Sequence, residues 1–294
     1  MTLTGERFAI SAAGYSAEVS EVGAGLAGLW HDGVAVTVPT GADELPPKST
    51  GCVLAPWPNR LRDGHYSFDG VDYQLALTEP ATTTASHGFA KWTRWTCLEQ
   101  TDSSALMQCD LVPQTGYPFE IRLHLLYRVD AEGLLVSAAA TNTGQRPAPF
   151  GIGFHPYLDL ADFPLAETEL QIPAASVFSV DEQKIPVQKL PVAGTEFDLQ
   201  RLRALGELRL DHGYADLTAS AAIVQTTRRR IEMRWSKDFH NLQVFTPPQI
   251  ASGRNAVAIE PMSCPANAFN SGDNLVRLEP EQRWSGEWSI RVVS

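Results

Sequence analysis

Four stretches of this chain set titratable or hydrogen-bonding side chains in backbone that glycine and proline hold in place. The first is Pro56-Trp57-Pro58-Asn59-Arg60-Leu61-Arg62-Asp63-Gly64, in which prolines stiffen an Asn-Arg pair. An arginine in such a loop either grips an oxygen-rich ligand or pairs with a structural carboxylate. The second is Ser86-His87-Gly88-Phe89, where a histidine sits beside a residue that permits close backbone approach. A satisfied loop histidine has the same signature. The third, Phe150-Gly151-Ile152-Gly153-Phe154-His155-Pro156-Tyr157-Leu158, carries a lone imidazole through apolar, glycine-rich surroundings. Burying that imidazole costs free energy unless it has partners, so a working role weighs as much as a structural one. In the fourth, Glu260-Pro261 ends the apolar run Val257-Ala258-Ile259. Ionised glutamate is rarely buried unpaired, which makes Glu260 an acid–base candidate as well as a salt-bridge candidate. A weaker fifth stretch is Leu210-Asp211-His212-Gly213-Tyr214.

The elements that must position these residues read as strands. Tyr66 to Leu75 alternates aromatic and polar residues around Asp69-Gly70, the dipeptide of a tight hairpin. Ile121, Leu123, Leu125 and Tyr127 alternate with Arg122 and His124, and Leu134, Val136 and Ala138 resume the pattern after a turn. Ile231–Trp235, Gln243–Phe245 and Trp284–Ile290 repeat it. Helical spacing is scarce; the best candidate is the short Leu199–Leu208 stretch, which contains Gly206. Many strands without alternating helices predict an all-β fold, a large antiparallel β-sandwich with few short helices, as one domain over residues 1–294.

Composition excludes other classes. The 294 residues carry a formal net charge of -11, a poor match for nucleic acid, and the densest basic run, Arg228-Arg229-Arg230, is closely followed by Glu232. No apolar stretch is long enough to cross a bilayer, and the first residues lack a signal peptide's basic start and apolar run, so the reading expects a cytoplasmic protein. The four cysteines show no C-x-x-C pairing and read as buried thiols. No two of the seven histidines stand at metal-ligand spacing, so no metal is expected.

In their order along the chain, these motifs resemble the aldose 1-epimerase (galactose mutarotase) family. Asn59-Arg60 with Gly64 comes first, then His87-Gly88, His155-Pro156-Tyr157, Asp211-His212, the run Asn241 to Thr246, and Glu260-Pro261. Gly153-Phe154 stands before His155 where many members have Asn, and Ser86 before His87 where they have Leu, which suggests a divergent branch. The resemblance implies a sugar-binding cleft and interconversion of the anomers of a free aldose. It implies Glu260 as general base, His155 as general acid and His87 as a ligand near the ring oxygen. Arg60 and Asp211 would hold hydroxyls, with Asn59 beside them as a further substrate-binding residue.

Such a reaction needs one positioned base and one positioned acid, without a cofactor or metal. A carboxylate and an imidazolium are expected to start in the required protonation states near neutral pH. Trp57, Phe154 and Tyr157 are candidate platforms for the sugar's apolar face by their proximity to the motifs, with plain core as the more common role of each. Arg62 or Lys91 could meet an anionic group at C6. The expected partner is a small sugar. Two rival readings are a glycoside hydrolase, with Asp211 as second carboxylate about 5–9.5 Å from Glu260, and a sugar-binding protein without catalysis.

Overall fold

The computed structural model describes residues 2–248, 250 and 253–293. Two large antiparallel sheets dominate it, one of nine strands and one of eight, with a four-stranded meander at the N-terminal end. The nine-stranded sheet is built around Ile121–Asp130, Gly133–Asn142 and Arg283–Val293. Its period-two pattern sorts the faces: Ile121, Leu123, Leu125 and Tyr127 are buried, while Arg122 and Arg128 are exposed. The eight-stranded sheet runs from Pro186–Pro191 through Ala174–Val180, Asp211–Leu217, Asn241–Phe245 and Asn255–Met262 to Gly153–Phe154 and Val53–Leu54. Tyr157–Ala161 also pairs with Asn255–Met262.

The two sheets share one apolar core, in which Leu123 and Leu125 of the first join Leu242, Val244, Val257 and Ile259 of the second. Phe154 meets Trp288 across the layers, ring centroids 5.2 Å apart. Truncating a fully buried member such as Ile259 to alanine costs about 2–5 kcal/mol. This is the β-sandwich the residue pattern predicts. Helix is scarce: the helical elements with described bounds are Ala268–Ser271 and four short 3-10 turns.

The Asp-Gly hairpin forms as expected: His65–Phe68 pairs with Val71–Gln74, and Asp69 and Gly70 both adopt positive φ. The Leu199–Leu208 stretch is not helical. Arg203–Ala204 is instead a short strand paired with Glu169–Gln171, and Gly206 adopts φ +57. Leu199, Leu205 and Leu208 are buried separately along an extended path, so tertiary burial outweighs a weak helical spacing. Cys52, Cys109 and Cys264 are buried thiols as expected, whereas Cys97 is half-buried.

Candidate active site

Strand alternation builds one wall of the site. Asp211–Leu217, Asn241–Phe245 and Asn255–Met262 are neighbours in register, so Gly213, Gln243 and Glu260 form one row. Asp211, Phe245, Ala258 and Tyr157 form the next. Since Leu242, Val244, Val257 and Ile259 point into the core, Gln243, Glu260 and Asp211 stand on the opposite face. The second wall is the small ladder in which Arg60–Arg62 pairs with Thr84–Ser86. It continues into His87, whose positive φ of 64 turns the chain, and Gly88, whose φ is 62. A Cβ at Gly88 would fall 2.0 Å from the Ala55 carbonyl oxygen, so only glycine fits there.

The walls enclose a cavity of about 320 Å³. All six site residues expected from the sequence line it: Asn59, Arg60, His87, His155, Asp211 and Glu260. A larger groove of about 820 Å³ lies along the same sheet past Asn241, but none of the six lines it.

His155 and Glu260 touch, with Nε2 3.3 Å from Oε1 and both side chains almost fully buried. His155 is held by its backbone, which donates to the Cys52 carbonyl (3.1 Å) and accepts from the Gly51 N–H (2.9 Å). Its ring lies face to face with Tyr157, centroids 4.8 Å apart and planes 13° from parallel. Tyr157 in turn donates its hydroxyl to the Lys48 carbonyl oxygen (3.2 Å). Yet His155 Nδ1 and Glu260 Oε2 are buried without a hydrogen-bond partner. Burial pushes Glu260 well above the usual carboxylate range, and Asp211 pushes it further while Arg60 opposes. Burial, reinforced by Lys91, brings His155 down to about 3.

These shifts run against the expected starting states. Desolvation penalises both charged forms, which favours a neutral carboxyl beside a neutral imidazole over a carboxylate beside an imidazolium. His87 is also held well below its ordinary value, by burial first and then by Lys91, His155 and Arg60. The Asn59 backbone N–H donates to His87 Nδ1 (3.2 Å), which leaves Nε2 as the protonated donor.

Around this pair, Gln243 donates to Asp211 Oδ1 (2.9 Å), and Lys184 stands 3.9 Å from Asp211 Oδ2. Arg60 is gripped by Glu79 through Nε (2.9 Å) and Nη2 (2.8 Å). Arg60 thus has the carboxylate partner of the one alternative, and it also lines the cavity. Of the three aromatic candidates, Tyr157 lines the cavity. Trp57 is packed among Phe89 and Phe269, and Phe154 among Phe239 and Trp288, so both are core. Phe245 is a cavity aromatic that the sequence reading did not single out. Arg62 is engaged by Asp181 and Gln183, whereas Lys91 lines the cavity and donates to Ser49 Oγ (3.2 Å).

Gln243 and Glu79 were missed as individual residues. Gln243 had a signal, its period-two position in the Asn241–Thr246 run. Glu79 had none, because only the folded ladder brings it to Arg60. Among the described residues, no group of three or more His, Cys, Asp or Glu side chains could hold a metal ion. Nor is any helix among them long and apolar enough to cross a membrane.

The antiparallel β-sandwich therefore carries a buried imidazole–carboxylate pair in a polar cavity. The sequence model of the aldose 1-epimerase family matches residues 6–291, and the chain belongs to that family. It is 34% identical to the uncharacterized protein YihR of Escherichia coli (strain K12), covering 95% of this chain and 91% of that protein. It is 29% identical to the galactose mutarotase of Homo sapiens over 53% of this chain and 47% of that one. The fold matches the GalM/aldose epimerase homologue of C. elegans with a TM-score of 0.87 at 19% identity, covering 98% of each chain. A galactose mutarotase-like protein from Clostridium acetobutylicum matches with a TM-score of 0.85 at 18% identity, covering 97% of this chain and 94% of that one.

Proposed function

We propose that this protein interconverts the α and β anomers of a free aldose, with Glu260 and His155 as the proton-transferring pair. The observation that carries the reading is the contact between two buried titratable groups, each with one buried polar atom left without a partner. Buried polar atoms are normally satisfied, and here two unpartnered ones belong to a touching acid–base pair that lines the cavity, where sugar hydroxyls can supply the missing partners. Family membership supports the same reaction class.

The chemistry balances within the pair. When sugar hydroxyls enter the cavity, the proton of the neutral carboxyl crosses to His155, leaving a carboxylate and an imidazolium. Glu260 takes the C1 hydroxyl proton while His155 gives its proton to the ring oxygen. The C1–ring-oxygen bond breaks and C1 becomes a carbonyl. Rotation about C1–C2 presents the other face, and the reverse transfers close the ring. His87 donates Nε2–H near the ring oxygen, and Arg60, Asn59 and Asp211 hold hydroxyls. Each well-placed proton-transfer group contributes roughly 10²–10⁴-fold.

Polarimetry and exchange NMR on a panel of free, phosphorylated and sulfonated sugars test the proposal. Anomer equilibration faster than the buffer rate for at least one free aldose is the expected result. Binding without any change of rate would make the protein a sugar-binding module. Cleavage of aryl glycosides would favour a hydrolase using Asp211 and Glu260, which line the same cavity.

A further inference from the structure

We propose that Glu79 is a positioning residue that aims the guanidinium of Arg60 at the sugar; this rests on the mutarotase reading of the cavity. Glu79 meets Arg60 side-on, taking one N–H from Nε (2.9 Å) and one from Nη2 (2.8 Å). A guanidinium is planar and rigid, so fixing two of its nitrogens fixes the direction of the third. The third, Nη1, has only a long contact to Asn59 Oδ1 at 3.4 Å. It is the group left over for a ligand. Both side chains line the cavity, and they are 17% and 31% exposed for Arg60 and Glu79, so the pair is neither a buried core bridge nor a solvated surface one.

The support beneath Glu79 is built for rigidity. Its backbone N–H donates to the Thr84 carbonyl (3.0 Å), and the Thr84 N–H donates back (3.3 Å). Next to it, Thr78 Oγ1 accepts the Ser86 N–H at 2.8 Å. Ser86 is the register partner of Arg60. The acid and the arginine thus hang from the same short ladder, and their relative position does not depend on a mobile loop end. With Glu79 as counter-charge, Arg60 offers the sugar oriented hydrogen bonds more than net charge. Without it, the long side chain is free to sample several rotamers, and ordering it on binding weakens the sugar's hold.

A double-mutant cycle tests this. Glu79→Gln keeps the shape but not the two-point grip, and it is expected to raise KM by roughly tenfold while kcat changes by less than about threefold. Arg60→Ala is expected to raise KM further. The double variant should be no worse than Arg60→Ala alone, because Glu79 acts only through Arg60. Additive losses would overturn the proposal, as would a fall in Tm with KM unchanged in the folded protein. If Glu79→Gln does not fold, Glu79→Asp serves in the same cycle, since its shorter side chain also loses the side-on grip. If the wild type exchanges no anomers, the mutarotase reading has failed separately, and the cycle is read on sugar Kd by calorimetry. Absence of any sugar binding would overturn both.

Discussion

Two buried carboxylates on paired strands make an instructive contrast. Asp159 and Glu260 are 1% and 2% exposed, and Tyr157–Ala161, which bears Asp159, pairs with Asn255–Met262, which bears Glu260. Asp159 is fully partnered. Its Oδ1 accepts from Arg254 Nε (2.8 Å) and the Ala161 N–H (3.1 Å), its Oδ2 accepts from Arg254 Nη2, and Arg229 stands 3.8 Å away. Glu260 has a histidine at 3.3 Å and one oxygen with nothing. The first arrangement ties strands and a loop together. The second leaves a group whose proton affinity burial has raised, and whose missing partner a ligand can supply. Equal burial therefore says little about role; the count of satisfied oxygens separates the two.

Removing each carboxylate separates stability from turnover. Asp159→Ala leaves Arg254 and Arg229 without their carboxylate and is expected to destabilise the fold by about 3–5 kcal/mol. The protein that remains folded should exchange anomers at the wild-type rate. Lost turnover with an unchanged Tm would erase the distinction between the two sites. Next in size, His155→Asn is expected to lower kcat by roughly 10²-fold, and His87→Asn by about tenfold. Equal, small losses at both positions would return the two histidines to structural roles.

A graded effect concerns acid stability. As pH falls below about 6.5, the unfolded chain protonates its histidines. Buried His155 resists protonation until about 3. Taken alone, His155 makes stability fall on acidification by up to about 1.4 kcal/mol per pH unit, while buried Glu260, whose proton affinity is raised, works in the opposite direction above the ordinary carboxylate range. His155→Asn removes the histidine's contribution, so in denaturation curves taken between these limits the variant should gain stability relative to the wild type as pH falls. An unchanged slope would mean that His155 is not held neutral.

Much of this was legible in the sequence for identifiable reasons. Alternation in Ile121–Tyr127 and the Asp69-Gly70 turn are local signals, and local signals survive into the fold. The six expected site residues share a cavity because each sits where proline, glycine or a strand end marks the backbone. What stayed hidden depended on contacts between distant segments. Glu79 finds Arg60, and Arg62 finds Asp181, only after the chain has closed. Trp57 and Phe154 stand beside the motifs in sequence, yet their side chains turn into the core. The direction in which burial moves Glu260 and His155 is hidden for the same reason, since desolvation is a property of the assembled sandwich.

Glu260→Gln tests the central claim most directly. The neutral amide copies the shape of the protonated carboxyl that burial favours, so the fold should keep its Tm. It cannot accept the C1 proton. Exchange NMR at anomeric equilibrium, on whichever aldose the wild type turns over, is expected to show a loss of about 10²-fold or more. Near-wild-type exchange by a folded Glu260→Gln protein would contradict the assignment of this carboxylate as the proton acceptor.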